Sequence, residues 1–562
     1  MKQKLLLLFA LVMSCMGAWA KVLYASLDGT AMTIYCADSK PAGDYYVYTV
    51  TTGEYGESYA DWRNPDTYDT LNPWVETITT VTIDASCSDY DGTSLCSLFY
   101  NLKDLTSITG LNNLGASNVT DMSRMFSGCK LLPSIELNGL NTSKVTNMYE
   151  MFAYCENLTS IDVSPLNTSE VTDMTAMFWA CNKLATFTFG GSFDTSKVQN
   201  MYGMFLGCDM TTIDLSTFDT SNVTNMLELF QACQKLTSID LSSFNTSKVT
   251  NMCQMFFNCS LLSSITFGPN FVLDSAENIM NMFAACPALE TLDISNFNTS
   301  TVTEMRQMFS GCTNLTTIKI GTGWDTSNVT EENSNNMFYN CSAIVGEDGT
   351  TYNSSNTNKN YAHADAGGYL TLTKAKANEV GTEYWSTFYK TLSNYEVDAN
   401  TTVYTATQSG TTLTLHEVGN RIIKAGEGVI LKSTNPTISL TKTVAEPTSG
   451  AYDGNVLKGV NAATAQTSGT TYYVLGYKDS HLAFYKYKSD LTLGAHKAYI
   501  PVTSDPSREY IDINIDGLST GISVVEDVKG KMDGVFYDLS GRRVLYPTKG
   551  LYIVNGKKVI IK

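Results

Sequence analysis

The sequence contains few of the residues that most enzymes use for acid–base or metal chemistry. It has only 4 histidines, and His363, His416, His481 and His496 are scattered without an H-E-x-x-H pattern or a cysteine partner pattern. A phosphate-binding G-x-x-x-x-G-K-[ST] loop is absent from the sequence. The G-x-S-x-G motif at 517–521 lies in a linker between β-rich segments, whereas a nucleophile elbow needs a strand before it and a helix after it. We therefore expect a protein that is not an enzyme and that uses no cofactor and no metal.

Charged residues are also scarce, and they are unbalanced. They make up 16% of the chain, and the formal net charge is -18. A hydrophobic fraction of 43% is ordinary for folded domains, so wholesale disorder is not expected. An acidic chain repels phosphate backbones, which argues against nucleic acid as a partner. Beyond the N-terminus, no run approaches the roughly 18 apolar residues of a spanning helix, and we expect no transmembrane segment.

The N-terminus has the three parts of a secretory signal peptide. Lys2 and Lys4 precede an apolar run over 5–13, and Ala18 and Ala20 give the small-x-small pattern for cleavage before Lys21. Residues 1–20 are therefore predicted to be removed. Cys15 allows the alternative of a lipoprotein anchor, although the residues before it are a poor lipoprotein box.

A long internal repeat dominates the sequence from 95 to 345. Its cysteines are 25 to 29 residues apart. They are Cys129, Cys155, Cys181, Cys208, Cys233, Cys259, Cys286, Cys312 and Cys341. With an earlier degenerate unit ending at Leu102, this gives about ten coils, mostly of 25–27 residues. One coil of this size cannot bury its apolar face alone, so the coils are expected to stack.

Two patterns within each coil suggest its secondary structure. Met148, Met151, Phe152 and Cys155 have the i, i+3, i+4, i+7 spacing of one helical face. The segment 158–163 has the L-x-x-L-x-L spacing of a leucine-rich repeat strand. The predicted fold of this region is therefore an α/β leucine-rich-repeat solenoid, with short helices and a parallel sheet.

The residues between the apolar positions of each predicted strand should point outward. One such column consists of small hydroxyl residues and the next is mostly acidic. The candidate ligand-facing residues taken from the two columns are Glu136, Ser160, Asp162, Thr212, Asp214, Ser238, Asp240, Thr291 and Asp293. The columns suit a basic or polyhydroxylated partner or divalent cations. They equally suit a sheet whose small polar residues only keep it solvated.

The cysteine column has a simple interpretation. One cysteine per coil, with no histidine in the repeats, does not fit zinc. Disulfides between neighbouring coils are sterically conceivable, but the mature chain would have an odd number of cysteines. A buried column of free thiols acting as small apolar side chains is the favoured hypothesis. The methionines at helical spacing are expected to be core residues for the same reason.

The repeat resembles the BspA-type leucine-rich repeat, which is related to mycoplasma-lipoprotein repeats. The resemblance rests on three recurring segments: Asn-Thr-Ser-Lys-Val-Thr-Asn-Met at 141–148, Met-Phe-x-x-Cys at 151–155 and Leu-Thr-Ser-Ile-Asp-Val at 158–163. It implies a secreted cell-surface adhesin. Its implied partners are host extracellular matrix or plasma proteins or other microbial surface proteins, and glycans are a further option.

The flanking segments are predicted to be β-rich. Residues 21–94 are expected to form an N-terminal cap, 346–374 a C-terminal cap and linker, and 375–518 a β-sandwich. The segment 519–562 resembles the C-terminal sorting domain of type IX secretion substrates, through Asp538-x-x-Gly541-Arg and the terminal Lys549-Gly-x-Tyr pattern. That resemblance implies transport to the outer-membrane surface or release from the cell.

The sequence supports three hypotheses about function. In the first, the repeat region binds host or microbial proteins. In the second, the 375–518 domain binds glycans. In the third, the protein is a structural component of a surface layer or biofilm.

Overall fold

The fold is taken from a computed structural model of the chain. It describes residues 21–39, 41–42, 45–52, 58–63, 77–409, 412–460, 464–465, 470–478, 481–487, 492–493, 496–502, 510–515, 522–525, 536–537, 543–544, 550–554 and 557–561. The predicted signal peptide, the G-x-S-x-G motif and the Asp538-x-x-Gly541 motif lie outside these residues. The chain divides into two compact units, Met1–Thr373 and Lys374–Lys562.

The first unit opens with a mixed six-stranded sheet. Its strands are β1 (Val22–Asp28), β2 (Ala31–Ala37), β3 (Tyr46–Thr52), β4 (Ser58–Arg63), β5 (Thr80–Ile83) and β6 (Ser107–Thr109). They are arranged in the order β4-β3-β1-β2-β5-β6. The first four pair antiparallel, whereas β2–β5 and β5–β6 are parallel. The sheet thus changes from hairpin pairing to the coil-to-coil pairing of the repeats.

After β6, the repeats contribute six more short strands, which form three parallel pairs. These strands are β7 (Ser160–Asp162), β8 (Thr186–Thr188), β9 (Ser238–Leu241), β10 (Ser264–Phe267), β11 (Thr291–Asp293) and β12 (Thr317–Gly321). The pairs are β7–β8, β9–β10 and β11–β12. A second line of single parallel bridges joins one residue per coil, from Ser94 through Asn147 to Glu304.

The predicted α/β leucine-rich-repeat solenoid is wrong, because the described residues contain no α-helix. Their helices are four short 3₁₀ turns at Ala85–Asp89, Leu111–Asn113, Glu332–Ser334 and Lys359–Tyr361. In the segment expected to be helical, Glu150 and Tyr154 have positive φ angles of 52° and 59°. The backbone N–H groups of Phe152 and Tyr154 donate to the next coil at 2.9 and 2.7 Å. The segment is therefore a series of tight turns rather than a helix.

The spacing of the coils gives a physical reason for this outcome. The Phe of each coil stacks on the Phe of the next, with ring centroids 5.2 to 5.9 Å apart from Phe99 to Phe338. Helices pack about 8–10 Å apart and cannot stack at that interval. Successive tight turns place the same Met, Phe and Cys side chains inward as a helix would. The apolar spacing alone therefore does not distinguish a helix from a series of tight turns.

The core of the repeat region consists of fully buried columns. Met148, Met151, Phe152, Cys155 and their counterparts in the next coils are almost completely inaccessible to solvent. Fully burying one such side chain stabilises the fold by about 1.5–3 kcal/mol. The predicted assignment of the methionine positions to the core is consistent with this packing.

The left-handed turn residues give a stability prediction. Ala285 has a φ of 56°, a conformation that costs a non-glycine residue about 1–2 kcal/mol. Equivalent positions carry glycine at Gly128, Gly207 and Gly311. We expect Ala285→Gly to raise the free energy of unfolding by about 1 kcal/mol in urea titrations.

The neighbouring alanine is the matched control. Ala284 is buried and lacks a positive φ, so Ala284→Gly should lower stability through added chain entropy and a lost methyl group. Equal effects of the two substitutions would contradict the assignment of left-handed turns.

The second unit is built from longer strands in mixed sheets. Strand β13 (Leu370–Lys376) crosses the boundary between the units. The following strands are β14 (Asn378–Val380), β15 (Glu383–Phe388), β16 (Asn394–Val397), β17 (Thr401–Ser409), β18 (Thr412–Glu417), β19 (Ile422–Ile423), β20 (Val429–Ser433), β21 (Thr437–Thr443), β22 (Lys458–Val460), β23 (Thr464–Ala465), β24 (Thr471–Lys478), β25 (His481–Lys486), β26 (Thr492–Leu493), β27 (Lys497–Val502) and β28 (Tyr510–Ile515). Ten of them form one sheet in the order β14-β15-β20-β17-β18-β28-β25-β24-β27-β22.

Shorter groups of strands complete this unit. Strand β21 pairs antiparallel with β13 and β16, and β16 pairs antiparallel with β19. The C-terminal strands are β29 (Ile522–Val525), β30 (Phe536–Tyr537), β31 (Arg543–Val544), β32 (Gly550–Val554) and β33 (Lys557–Ile561), in the order β29-β33-β32-β30-β31. This five-stranded sheet falls within the segment that resembles a sorting domain.

Candidate interaction surface of the repeat region

The candidate residues lie at the surface of the repeat region, spread over successive coils. All nine are exposed except Ser238, which is half-buried. Their apolar neighbours, such as Ile161 and Val163, are buried. The alternation expected from the sequence therefore holds at these positions.

Only part of the predicted columns lies in a paired sheet. Asp162 pairs with Thr188, Asp240 with Thr266, and Asp293 with Lys319. Glu136, Thr212 and Asp214 lie outside the strands. The continuous parallel sheet expected for this face is thus replaced by short strand pairs, separated by coils that have no strand at this face.

Four of the acidic side chains are held in place by the turn that follows them. Asp162 Oδ1 accepts a hydrogen bond from the Ser164 N–H at 2.9 Å. The same contact recurs at Asp214, Asp240 and Asp293, each with the N–H of the serine two residues on. An aspartate in such an Asx-turn stabilises the local backbone. These carboxylates therefore have a structural role in addition to their exposure.

The turns also affect the charge of two of these residues. Hydrogen bonds from the side chain and backbone of Ser216 hold the pKa of Asp214 below its usual value. Ser242 lowers the pKa of Asp240 in the same way. Both carboxylates are therefore ionised at neutral pH. Glu136 is held differently, since Asn138 Nδ2 donates to its Oε2 at 3.5 Å.

Threonines connect neighbouring coils more often than the repeat pattern indicated. Buried Thr220 donates from Oγ1 to the Asn245 carbonyl at 2.9 Å and accepts from the Asn245 N–H at 2.8 Å. Similar bonds start from Thr168 and Thr246. The recurring Asn-Thr-Ser segment contained this signal, because its threonine returns at the same place in successive coils.

An aromatic ladder on the turn segments was also missed. Tyr154 stacks on Trp179 at a centroid distance of 6.0 Å, and Trp179 contacts Tyr202 at 6.1 Å. Arg124 lies over the Tyr149 ring at 4.9 Å and pairs with Glu150 at 2.8 Å. Tyr154, Trp179 and Tyr202 stand at different distances from the cysteine of their coils. An alignment of the repeats therefore does not place them in one column.

The cysteine column is buried and lies against the backbone of the preceding coil. Each of the nine thiols of the column, which runs from Cys129 to Cys341, donates to the carbonyl of the Phe one coil earlier, at 3.0 to 3.3 Å. The 13 described cysteines are free and buried. Burial raises the pKa of Cys181, Cys233 and Cys312 to about 12. The column therefore acts in packing and contributes no exposed group to the surface.

These thiols give a testable prediction about reactivity. Because thiolate is the reactive form, the cysteines of the native mature chain should resist a maleimide at pH 8 and should react once urea unfolds the repeats. Mass spectrometry after labelling measures this directly. Rapid labelling of Cys233 in the folded protein would contradict the packed column. Since all described cysteines lie between 36 and 341, thiol exposure also reports on unfolding of the first unit alone.

The described residues contain no group of three or more His, Cys, Asp or Glu side chains placed to hold a metal ion. None of the helices in the described part of the chain is long and apolar enough to cross a membrane. The site is thus a surface of exposed, hydrogen-bonded side chains repeated at the coil interval.

Comparison with known proteins places the repeats in one class. The first unit is a repeat protein of stacked short coils, and residues 93–189, 187–283 and 269–368 each match the family described as "Mycoplasma protein of unknown function, DUF285". The matched residues cover the region whose sequence resembles mycoplasma-type repeats.

A crystal structure of a TLR13–ssRNA13 complex is similar at 12% sequence identity, over 44% of this chain and 46% of that chain, with a TM-score of 0.14. The chain thus spans less than half of that protein. No curated protein matches the sequence.

Proposed function

We propose that this protein is a secreted cell-surface binding protein whose repeat region recognises other proteins. Its partners would be host extracellular matrix or plasma proteins, or surface proteins of other microbes. The signal-peptide pattern and the similarity of the C-terminus to sorting domains support a location outside the cell. The match to a repeat family supports the assignment of a repeat protein.

One observation carries the binding proposal. The exposed carboxylates of Asp162, Asp214, Asp240 and Asp293 are each fixed by an Asx-turn, at the same place in their coils. A fixed side chain loses less conformational entropy when a partner binds. A row of such carboxylates is complementary to a row of Lys or Arg side chains, and this complementarity favours specificity and fast association.

The experiment that tests this function compares the chain from Lys21 with the fragment 374–562, which corresponds to the second compact unit. Both would be measured against matrix proteins, plasma proteins and glycans by biolayer interferometry. Saturable protein binding by the full chain and not by the fragment is the expected result. If the fragment binds the same proteins as tightly as the full chain does, the repeats do not carry the binding.

The same panel addresses the other two hypotheses. Glycan binding retained by the fragment would favour the function in which the 375–518 domain binds polysaccharide. Absence of all binding, together with self-association in light scattering, would favour a structural component of a surface layer.

A further inference from the structure

The second unit contains a cavity that none of the functions above uses. Its volume is about 240 Å³, and it lies between strands β14, β15, β24, β25 and β27. Ligand pockets for drug-sized molecules usually exceed about 300 Å³, so this cavity suits a smaller molecule. Its walls are mainly apolar or aromatic side chains, including Val380, Trp385, Leu475 and Leu482.

Among the residues that the structure describes, Lys497 is the one cationic residue that lines this cavity. Lys497 lies on β27 next to buried Ala498, whose N–H donates to Thr387 Oγ1 at 3.3 Å. The protein packed around the ammonium group lowers the pKa of Lys497, and exposed Lys376 adds a smaller repulsion in the same direction. No carboxylate within the described part of the chain contributes an opposing shift.

A second lysine near the same tryptophan shows the contrast. Lys432 Nζ lies 5.5 Å from the centre of the Trp385 ring and pairs with Glu383 Oε1 at 2.7 Å. Its charge is therefore compensated by the protein. Lys497 is half-buried and has no such ion pair among the described residues, and shielding an ammonium group from water, even in part, is costly without one.

We propose that this cavity binds a small monocarboxylic acid with an apolar body. The carboxylate would pair with the Lys497 ammonium group, and the apolar body would contact Trp385, Leu475 and Leu482. An anion at this place offsets the desolvation of Lys497. This cavity lies in the second unit, so binding of an acid there is independent of binding by the repeats.

Isothermal titration of the full chain from Lys21 tests the proposal, with octanoate and 3-phenylpropionate as acids. Octan-1-ol, which lacks the charge, is the neutral control ligand. At least one acid should bind saturably, and at least about tenfold more tightly than the alcohol, which corresponds to about 1.4 kcal/mol. No saturable binding of either acid up to millimolar concentration would overturn the proposal.

Two lysine variants identify the group that recognises the acid. Lys497→Met keeps the apolar stem but removes the charge, and should lower the affinity for the acid at least about tenfold without weakening the binding of the alcohol. Lys376→Met removes the neighbouring exposed charge and should leave acid binding within about twofold. Unchanged acid binding by Lys497→Met, or an equal loss in both variants, would overturn the proposal. Thermal melting of the ligand-free variants checks folding, because Lys497→Met should melt no lower than the wild type.

Discussion

Replacing Phe230 by alanine should destabilise the first unit by about 3–5 kcal/mol. The Phe230 ring is fully buried and stacks on Phe205 and Phe256, with centroid distances of 5.6 Å to both. Its removal deletes two ring contacts and leaves a cavity that the fixed interval between coils cannot close. Urea unfolding followed by thiol exposure measures the change, because the described cysteines all lie in this unit.

Phe257→Ala is the control for this prediction. Phe257 lies one coil further along and is half-buried, so its removal opens no closed cavity. It should cost less than half as much as Phe230→Ala. A loss at Phe230 no larger than at Phe257 would show that the stacked rings are not the core of the coils.

Thr220→Val should lower the free energy of unfolding by about 2 kcal/mol. Valine keeps the shape of the buried side chain but removes the hydroxyl group that bonds both the N–H and the carbonyl of Asn245. An unsatisfied buried polar group costs about 1–3 kcal/mol. Thr220→Ser retains the hydroxyl and should cost clearly less in the same urea titration.

Thr224 provides the control, because the same Thr→Val substitution there removes an exposed hydrogen bond instead of a buried one. Thr224 donates to the Gln199 carbonyl at 3.1 Å on the exposed side of the coil, where water can replace it. Thr224→Val should therefore have little effect, within about 0.5 kcal/mol. Equal losses at Thr220 and Thr224 would contradict the role of the buried threonine as the link between coils.

The side chains that recur once per coil allowed the core to be predicted correctly from the sequence. The conformation of the backbone between these side chains was predicted wrongly. The columns of Met148, Phe152 and Cys155 predicted the core because burial depends on apolar character. The predicted helix was wrong because the i, i+3, i+4, i+7 spacing also arises from successive tight turns. The glycines and asparagines that precede several repeat cysteines, such as Gly128 and Asn258, carried the correct signal, since both tolerate positive φ.

The candidate surface was likewise predictable only in part. Exposure of Asp162 and Asp240 followed from alternation with buried residues. Their hydrogen bonds to Ser164 and Ser242 depend on the local turn, which strand alternation does not specify. The cavity around Lys497 could not be foreseen, because it joins residues from strands that are distant in the sequence.

Removing the charge of the acidic column without disturbing its turns tests whether this column binds a protein partner. Asp162→Asn, Asp214→Asn and Asp240→Asn, combined in one variant, retain the side-chain oxygen that each turn requires. The control combines Asp194→Asn, Asp219→Asn and Asp325→Asn, which make the same change in net charge at other Asx-turns of the coils.

Biolayer interferometry of both variants against the protein panel gives the decisive comparison. We expect at least about a tenfold loss of affinity and a weaker dependence on salt for the first variant, with the control close to the wild type. Equal affinities of the two variants for every bound protein would contradict recognition by the acidic column.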